Sequence, residues 1–311
     1  SPAAGAVIEA HLKDIVLGAD PHSVSALHEA MRRTCRNIGT KGLVGQAISA
    51  VDIALWDLSA RLQQLPLAQL MGAKPESAVS VYGSGGFTTL TDEELHAQVD
   101  GWLASGCRAV KIKVGESWGT NPARDLARTR QVREQIGPDV DLMIDANGGY
   151  GRGQARRLGA AYDELGVVWF EEPVSSDDLE GLAAIRQALR CDIAAGEYAW
   201  DVYDARALCP VVDCLQLDAT RITGYTGWLR GAAVAAAHGL QVSAHCAPSL
   251  HAVVAAAAPN TRHIEWFADH ARLEPLLVDG APPVADGLIR LGNAFGHGMT
   301  LAAGAERYRR Q

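Results

Sequence analysis

Leu142-Met143-Ile144-Asp145, Val168-Trp169-Phe170-Glu171 and Ile193-Ala194-Ala195-Gly196-Glu197 decide how this chain is read. Each is a short apolar run that delivers a carboxylate at its end, and Asp145, Glu171 and Glu197 recur every 26 residues. That interval suits one βα unit. The same rhythm extends both ways, with further apolar runs at Val79–Tyr82, Ala109–Val114, Cys214–Leu217, Leu240–Ser243 and His263–Trp266. Helical stretches separate them: Thr91–Ala104, Pro122–Ile136, Gln154–Leu165, Asp177–Leu189 and Thr226–His238. The first opens on Thr91-Asp92-Glu93-Glu94, a capping box with Thr91 as N-cap. Strand and helix in alternation predict a parallel sheet with crossover helices. Eight runs within about one barrel's length predict a closed barrel over an open doubly wound sheet. No GxGxxG follows the first run, so the dinucleotide-binding version lacks its fingerprint.

Upstream, from Ser1 to about Ser77, the texture is helical. Val24–Arg33 and Gly45–Leu62 carry the signal, the latter with Ile48, Val51, Ile53, Trp56 and Leu58 on one broad apolar face. Pro66 and the stretch Gly72 to Pro75 close this region. The chain has 311 residues, 48% of them hydrophobic, enough for a large core and a smaller companion domain. A net charge of −8 without a Lys/Arg block argues against nucleic acid as a partner. No uninterrupted apolar run reaches the roughly 18 residues of a membrane span, and the first residues do not read as a signal peptide. The six cysteines (Cys35, Cys107, Cys191, Cys209, Cys214, Cys246) are scattered without CxxC, as expected of reduced thiols in a cytoplasmic protein.

In a parallel barrel, chemistry gathers where strands end. Asp145, Glu171 and Glu197 would share one rim, where three uncompensated carboxylates repel. A hard divalent cation relieves that repulsion, and few protein ligands favour Mg²⁺ over Ca²⁺. Two of the chain's five lysines sit in Lys111-Ile112-Lys113, and alternation turns both into the barrel. Two ammoniums on one face are expected to depress each other and leave one neutral as a base, unless they form salt bridges to the acids opposite. Asp218 and His245 end adjacent strands, so the carboxylate could hold one imidazole nitrogen and leave the other facing the cavity. Glu265 adds another inward acid. Tyr82, Tyr198 and Trp200 lie near the same rim, as an aromatic pocket or as barrel-end packing.

Taken together, these pieces resemble the mandelate racemase subgroup of the enolase superfamily. The resemblance runs from about Gly45 to the C-terminus. It rests on Ala50-Val51-Asp52-Ile53-Ala54-Leu55-Trp56-Asp57, Lys111-Ile112-Lys113-Val114-Gly115, Asp145-Ala146-Asn147 and Glu171-Glu172-Pro173. Gly196-Glu197, Asp218 to Gly224 and Ser243-Ala244-His245 complete it. It implies an α/β protein with a (β/α)7β TIM-type barrel and an α+β capping domain. The implied limits are 1–77 for the capping part, 78–270 for the barrel and 271–311 for a segment returning to the cap. Members normally begin with a β-meander whose loops help choose the substrate, and the residues given are expected to start at the helices that follow it.

The resemblance makes Asp145, Glu171 and Glu197 the Mg²⁺ ligands, and Lys113, assisted by Lys111, the base on one face of the substrate. His245 with Asp218 becomes the acid–base pair of the other face, and Glu265 the acid bonded to the substrate carboxylate. Ser84, Asn147 and Arg221 fall where members touch substrate, although relatives often carry Lys at the position of Arg221. No lysine follows Lys113, which argues against the muconate-lactonising subgroup with its second lysine. The implied reaction removes the proton α to a carboxylate through a metal-stabilised enediolate. An acid-sugar dehydratase giving a 2-keto-3-deoxy acid is favoured. The alternatives are a racemase or epimerase of a 2-hydroxy acid, and a barrel that binds metal and carboxylate without turnover. A cytoplasmic homo-oligomer is expected, with Trp102, Trp118 and Trp228 as candidate exposed apolar residues.

Overall fold

The computed structural model describes residues 2–308. Eight parallel strands close on themselves: β1 (Ala78–Gly85), β2 (Ala109–Lys113), β3 (Asp141–Asp145), β4 (Val167–Glu171), β5 (Asp192–Ala195), β6 (Cys214–Leu217), β7 (Gln241–Ala244) and β8 (Thr261–Phe267). Pairing of β1 with β8 completes the barrel. Every expected apolar run falls on one of these strands, with only Val114 and Leu240 just outside. Alternation sorts the side chains. Val110 and Ile112 face the surrounding helices and are fully buried, whereas Lys111 turns inward. Each such aliphatic side chain contributes about 1.5–3 kcal/mol through the water it excludes. Tyr82, Met143, Trp169, Ala194 and Cys214 fill the barrel interior as a separate apolar cluster.

The helices follow the sequence with shifted ends. Thr91 caps Asp92–Ala104, its oxygen accepting from the Glu94 N–H at 3.2 Å while Glu94 Oε2 accepts the Thr91 N–H at 2.9 Å. Asp178 takes the N-cap position, so the helix expected from Asp177 runs over Leu179–Arg186. The helices that escaped the sequence reading include Val202–Leu208, Pro248–Ala257 and Ala268–Leu277. The Ala- and Val-rich middle one has no polar face and so no helical period to read.

The N-terminal helices build their own cluster around Leu12, Met31 and Ile48. The helix Leu43–Leu62 divides its apolar residues: Ile48 and Leu55 join that cluster, Ile53 joins the barrel core, and Leu58 is exposed. By length and composition this helix could cross a membrane, but half of it is buried inside the protein. Its Asp52 accepts from the Thr226 N–H (2.9 Å) and hydroxyl (2.6 Å) at the start of Gly224–Ala237. The C-terminal segment touches both parts. Leu288–Arg290 pairs antiparallel with the first residues of β1, and the His297 N–H donates to Asp57 at 2.7 Å. Of the three tryptophans expected at the surface, Trp102 and Trp228 are buried and only Trp118 is exposed; Trp102 packs against Gly83, which leaves room for the indole. All six cysteines are buried and unpaired.

Candidate active site

Strand register brings the polar residues to one level. Lys113 pairs with Asp145 and Asp145 with Glu171, so three successive strand ends lie side by side. Glu197 follows β5 after Gly196, whose φ of +134° and lack of a side chain are both needed. A Cβ there would lie 2.3 Å from the Gln216 carbonyl. One oxygen each from Asp145, Glu171 and Glu197 lies within 4.8 Å of the others, and all three residues are buried.

The trio is under-satisfied. Glu171 Oε1 and Glu197 Oε2 are buried with no hydrogen-bond partner among the described residues. Orphaned buried carboxylate oxygens cost several kcal/mol unless a cation or donor meets them. The all-oxygen donor set therefore fits a hard divalent ion. Burial, then the Asp145 carboxylate beside it, pushes Glu171 up to about 8.

The two lysines meet this negative charge. Lys111 donates to Glu171 at 2.5 Å and lies 3.0 Å from Glu265, and Lys113 is paired with Asp145. Lys111 does work to lower Lys113, as expected, but the net effect is the opposite. Burial lowers both, but Glu171 and Glu265 around Lys111, and Asp145 against Lys113, outweigh it and hold both above the ordinary lysine value. The salt-bridge alternative describes this arrangement.

Across the rim, His245 Nδ1 lies 2.9 Å from Asp218 Oδ2. Thr220 donates to Asp218 Oδ1 through both its N–H and its hydroxyl, each at 2.7 Å. Burial works to raise Asp218, yet the His245 hydrogen bond and charge overcome it and hold the carboxyl far below its usual range. His245 itself is held above the ordinary histidine value: burial opposes this, and Glu197 and Asp218 outweigh it. Its Nε2 is 3.5 Å from Glu197 Oε2. Arg221 ties the dyad to the trio, with Nη1 3.1 Å from Glu197 Oε1 and Nε 3.3 Å from Asp218 Oδ2. Glu265 accepts the Ser84 hydroxyl at 2.6 Å and the Cys246 N–H at 2.7 Å.

Asn147 donates its N–H to Asp145 Oδ1 at 2.7 Å. Its residue lines two clefts, one of about 620 Å³ with Glu172, Tyr198 and Trp200, the other of about 470 Å³ with Lys113 and Phe87. Tyr198 and Trp200 thus do line a cavity. Tyr82 does not: it is buried in the barrel, where its hydroxyl accepts from Lys111 (3.3 Å) and Gln216 (3.2 Å).

Several residues at the site went unread. Glu172 is buried at the rim with an unpartnered Oε1, and its position beside Glu171 was the available signal. Gln216 and Trp169 donate to Glu171 Oε2 at 3.1 and 3.0 Å. Strand alternation, with Leu215 and Leu217 outward, could have placed Gln216 inside.

Residues 94–305 match the family described as Enolase C-terminal domain-like, and residues 3–72 match the Mandelate racemase / muconate lactonizing enzyme, N-terminal domain. A mandelate racemase/muconate lactonizing enzyme-like protein from Rubrobacter xylanophilus superposes with a TM-score of 0.94 at 41% identity, covering 99% of this chain and 86% of that one. L-talarate/galactarate dehydratase from Salmonella typhimurium is 33% identical over 98% of this chain and 76% of its own length. Its structure with Mg and L-lyxarohydroxamate superposes with a TM-score of 0.91, at 32% identity, over 99% of this chain and 78% of that chain. A racemase from Streptomyces coelicolor A3(2) with bound magnesium gives 0.90 at 31% identity, covering 98% and 83%.

Proposed function

The chain belongs to the mandelate racemase / muconate lactonizing enzyme family, and from that premise we propose that it is a Mg²⁺-dependent acid-sugar dehydratase. One observation carries this reading. The two groups able to move protons touch the first and last members of the carboxylate trio: Lys113 contacts Asp145, and His245 Nε2 lies 3.5 Å from Glu197. A carboxylate substrate seated at the trio thereby has a proton acceptor and a proton donor within reach.

Asp145, Glu171 and Glu197 would hold the cation, which supplies positive charge beside the substrate carboxylate. Glu265 and Ser84, already bonded to each other, offer a polar contact to that carboxylate. One of the pair Lys113 and His245 takes the proton α to the carboxylate. Asp218 holds the imidazole by Nδ1 and leaves Nε2 to give a proton to the departing β-hydroxyl. Water leaves, and the enol relaxes to a 2-keto-3-deoxy acid. Asn147 and Tyr198 at the cleft, with Arg221 over the Tyr198 ring, offer hydrogen-bonding groups that suit a polyhydroxylated ligand. A ligand lacking hydroxyls would leave such donors unpaired.

A second reading uses the same residues: if His245 returns a proton to the α-carbon from the other face, the product is an epimer. The likeness to a racemase keeps this reading in play. A third, binding without turnover, predicts no exchange of the α-proton with solvent deuterium. Incubating a library of aldonic and aldaric acids with Mg²⁺ and trapping 2-keto acids as semicarbazones tests the proposal. Racemisation of a 2-hydroxy acid with no dehydration of any sugar acid would overturn it. We further propose a cytoplasmic homo-oligomer: six free thiols suit a reducing compartment, and exposed Trp118 and Leu301 suit association. A monomeric mass in solution would contradict the assembly.

A further inference from the structure

We propose that the barrel mouth carries a second cation site, for a thiophilic divalent ion such as Zn²⁺, made by His245, Cys246 and Glu265 beside the carboxylate trio. Cys246 Sγ lies 3.3 Å from His245 Nε2. One ligand atom each from His245, Cys246 and Glu265 falls within 4.8 Å of the others, and all three residues are buried. A tetrahedral ion about 2.3 Å from sulfur and about 2.0–2.1 Å from nitrogen sets those two atoms roughly 3.5 Å apart. The observed pair needs only a small adjustment.

The ligands are already oriented. Asp218 takes Nδ1 of His245, the partner that fixes a metal-binding imidazole and leaves the Nε2 lone pair for the ion. The Cys246 N–H donates to Glu265 Oε2, which holds that carboxylate against the thiol-bearing residue. Ser84 and Lys111 approach the other oxygen, Oε1. Two donor sets then differ in chemistry: three oxygens at the trio, and nitrogen, sulfur and oxygen here. Hard ions prefer the first and Zn²⁺ the second.

The mouth is also rich in acidic groups. Asp145, Glu171, Glu172, Glu197, Asp218 and Glu265 gather there, with Lys111, Lys113, Arg221 and His245 as their basic partners among the described residues. Binding of Zn²⁺ displaces the Cys246 thiol proton and the His245 Nε2 proton to solvent and forms the Zn–S and Zn–N bonds. Occupancy ties up His245 Nε2, so zinc should stop turnover; that consequence rests on the acid–base reading of His245, while the binding itself does not.

The test uses the full chain saturated with Mg²⁺, titrated with Zn²⁺ against a chromophoric indicator, and with Co²⁺ as a spectroscopic stand-in. The wild type is expected to take one equivalent, to lose activity in step, and to show a thiolate-to-cobalt charge-transfer band. Cys246→Ala should bind at least about 10-fold more weakly and lose the band. Cys246→Ser serves if the alanine variant folds poorly. Unchanged affinity in both variants, or cobalt bound without the band, would place the ion at the trio and overturn the site. Cobalt bound with the band, together with full turnover in zinc, would overturn the role of His245 and leave the cation site standing.

Discussion

His245 Nδ1 and Asp218 Oδ2 meet at 2.9 Å across the ends of adjacent parallel strands, though 27 residues separate them in the chain. The carboxylate is held twice by Thr220, and the Arg221 guanidinium leans on it from the same loop. It is an anchored hydrogen-bond acceptor that fixes which imidazole nitrogen faces the cleft. His245→Asn should therefore abolish net reaction, a loss of 10³-fold or more in kcat. Asp218→Asn should cost less, about 10–100-fold, because it misorients the ring without removing it. Steady-state kinetics on the two variants checks the order; a larger loss in Asp218→Asn would contradict it.

Lys113→Ala should also abolish net reaction. Proton transfer at the α-carbon needs one base, whereas net turnover needs both partners. One of Lys113→Ala and His245→Asn is therefore expected to keep exchanging a single substrate proton with deuterium, read by NMR. Normal turnover in both would show that other residues carry the protons.

Glu197→Gln removes one charge from the trio, whose orphaned Oε2 marks it as under-coordinated. The variant should keep its circular dichroism spectrum, bind Mg²⁺ at least about 10-fold more weakly and lose turnover. EDTA should inactivate the wild type and added Mg²⁺ restore it. Full activity in EDTA would exclude the metal role.

Asp52 ties the N-terminal helices to the helix Gly224–Ala237, and burial pushes its carboxyl up to about 7 from an ordinary 3.8. A carboxyl raised in the folded state keeps its proton while the unfolded chain loses one. The stability it contributes is thus full below pH 4 and lost as pH rises to 7. Over that window the loss should be on the order of 2–4 kcal/mol, and Asp52→Asn should remove it. Denaturant melts of both proteins at pH 4.5 and 7 measure the difference; parallel behaviour would refute the assignment.

Gly227 lies under the loop that carries Asp218 and Arg221. A Cβ there would stand 1.6 Å from the Ile222 carbonyl, so Gly227→Ala must displace backbone. It should cost about 1–3 kcal/mol or more and lower kcat by disturbing Asp218. An unchanged melting temperature would mean that the loop gives way freely.

The eight strands, the capping box at Thr91 and the inward turn of Lys111 were legible in the sequence. All three depend on local rules: a period of two, a spacing of three, and a polar residue between apolar neighbours. The carboxylate interval was legible because one βα unit repeats. What the chain order could not give is the balance of charge. Lys111 and Lys113 read as mutually repelling neighbours, yet Glu171, Glu265 and Asp145 converge on them from other strands and reverse the sign of the effect. Trp102 and Trp228 read as surface candidates, but Gly83 opens a seat for one and helix packing covers the other. Cys246 was one scattered thiol until barrel closure set it between His245 and Glu265. Local pattern fixes which way a side chain points; what it meets there depends on strands distant in sequence, and buried electrostatics is a sum over those neighbours.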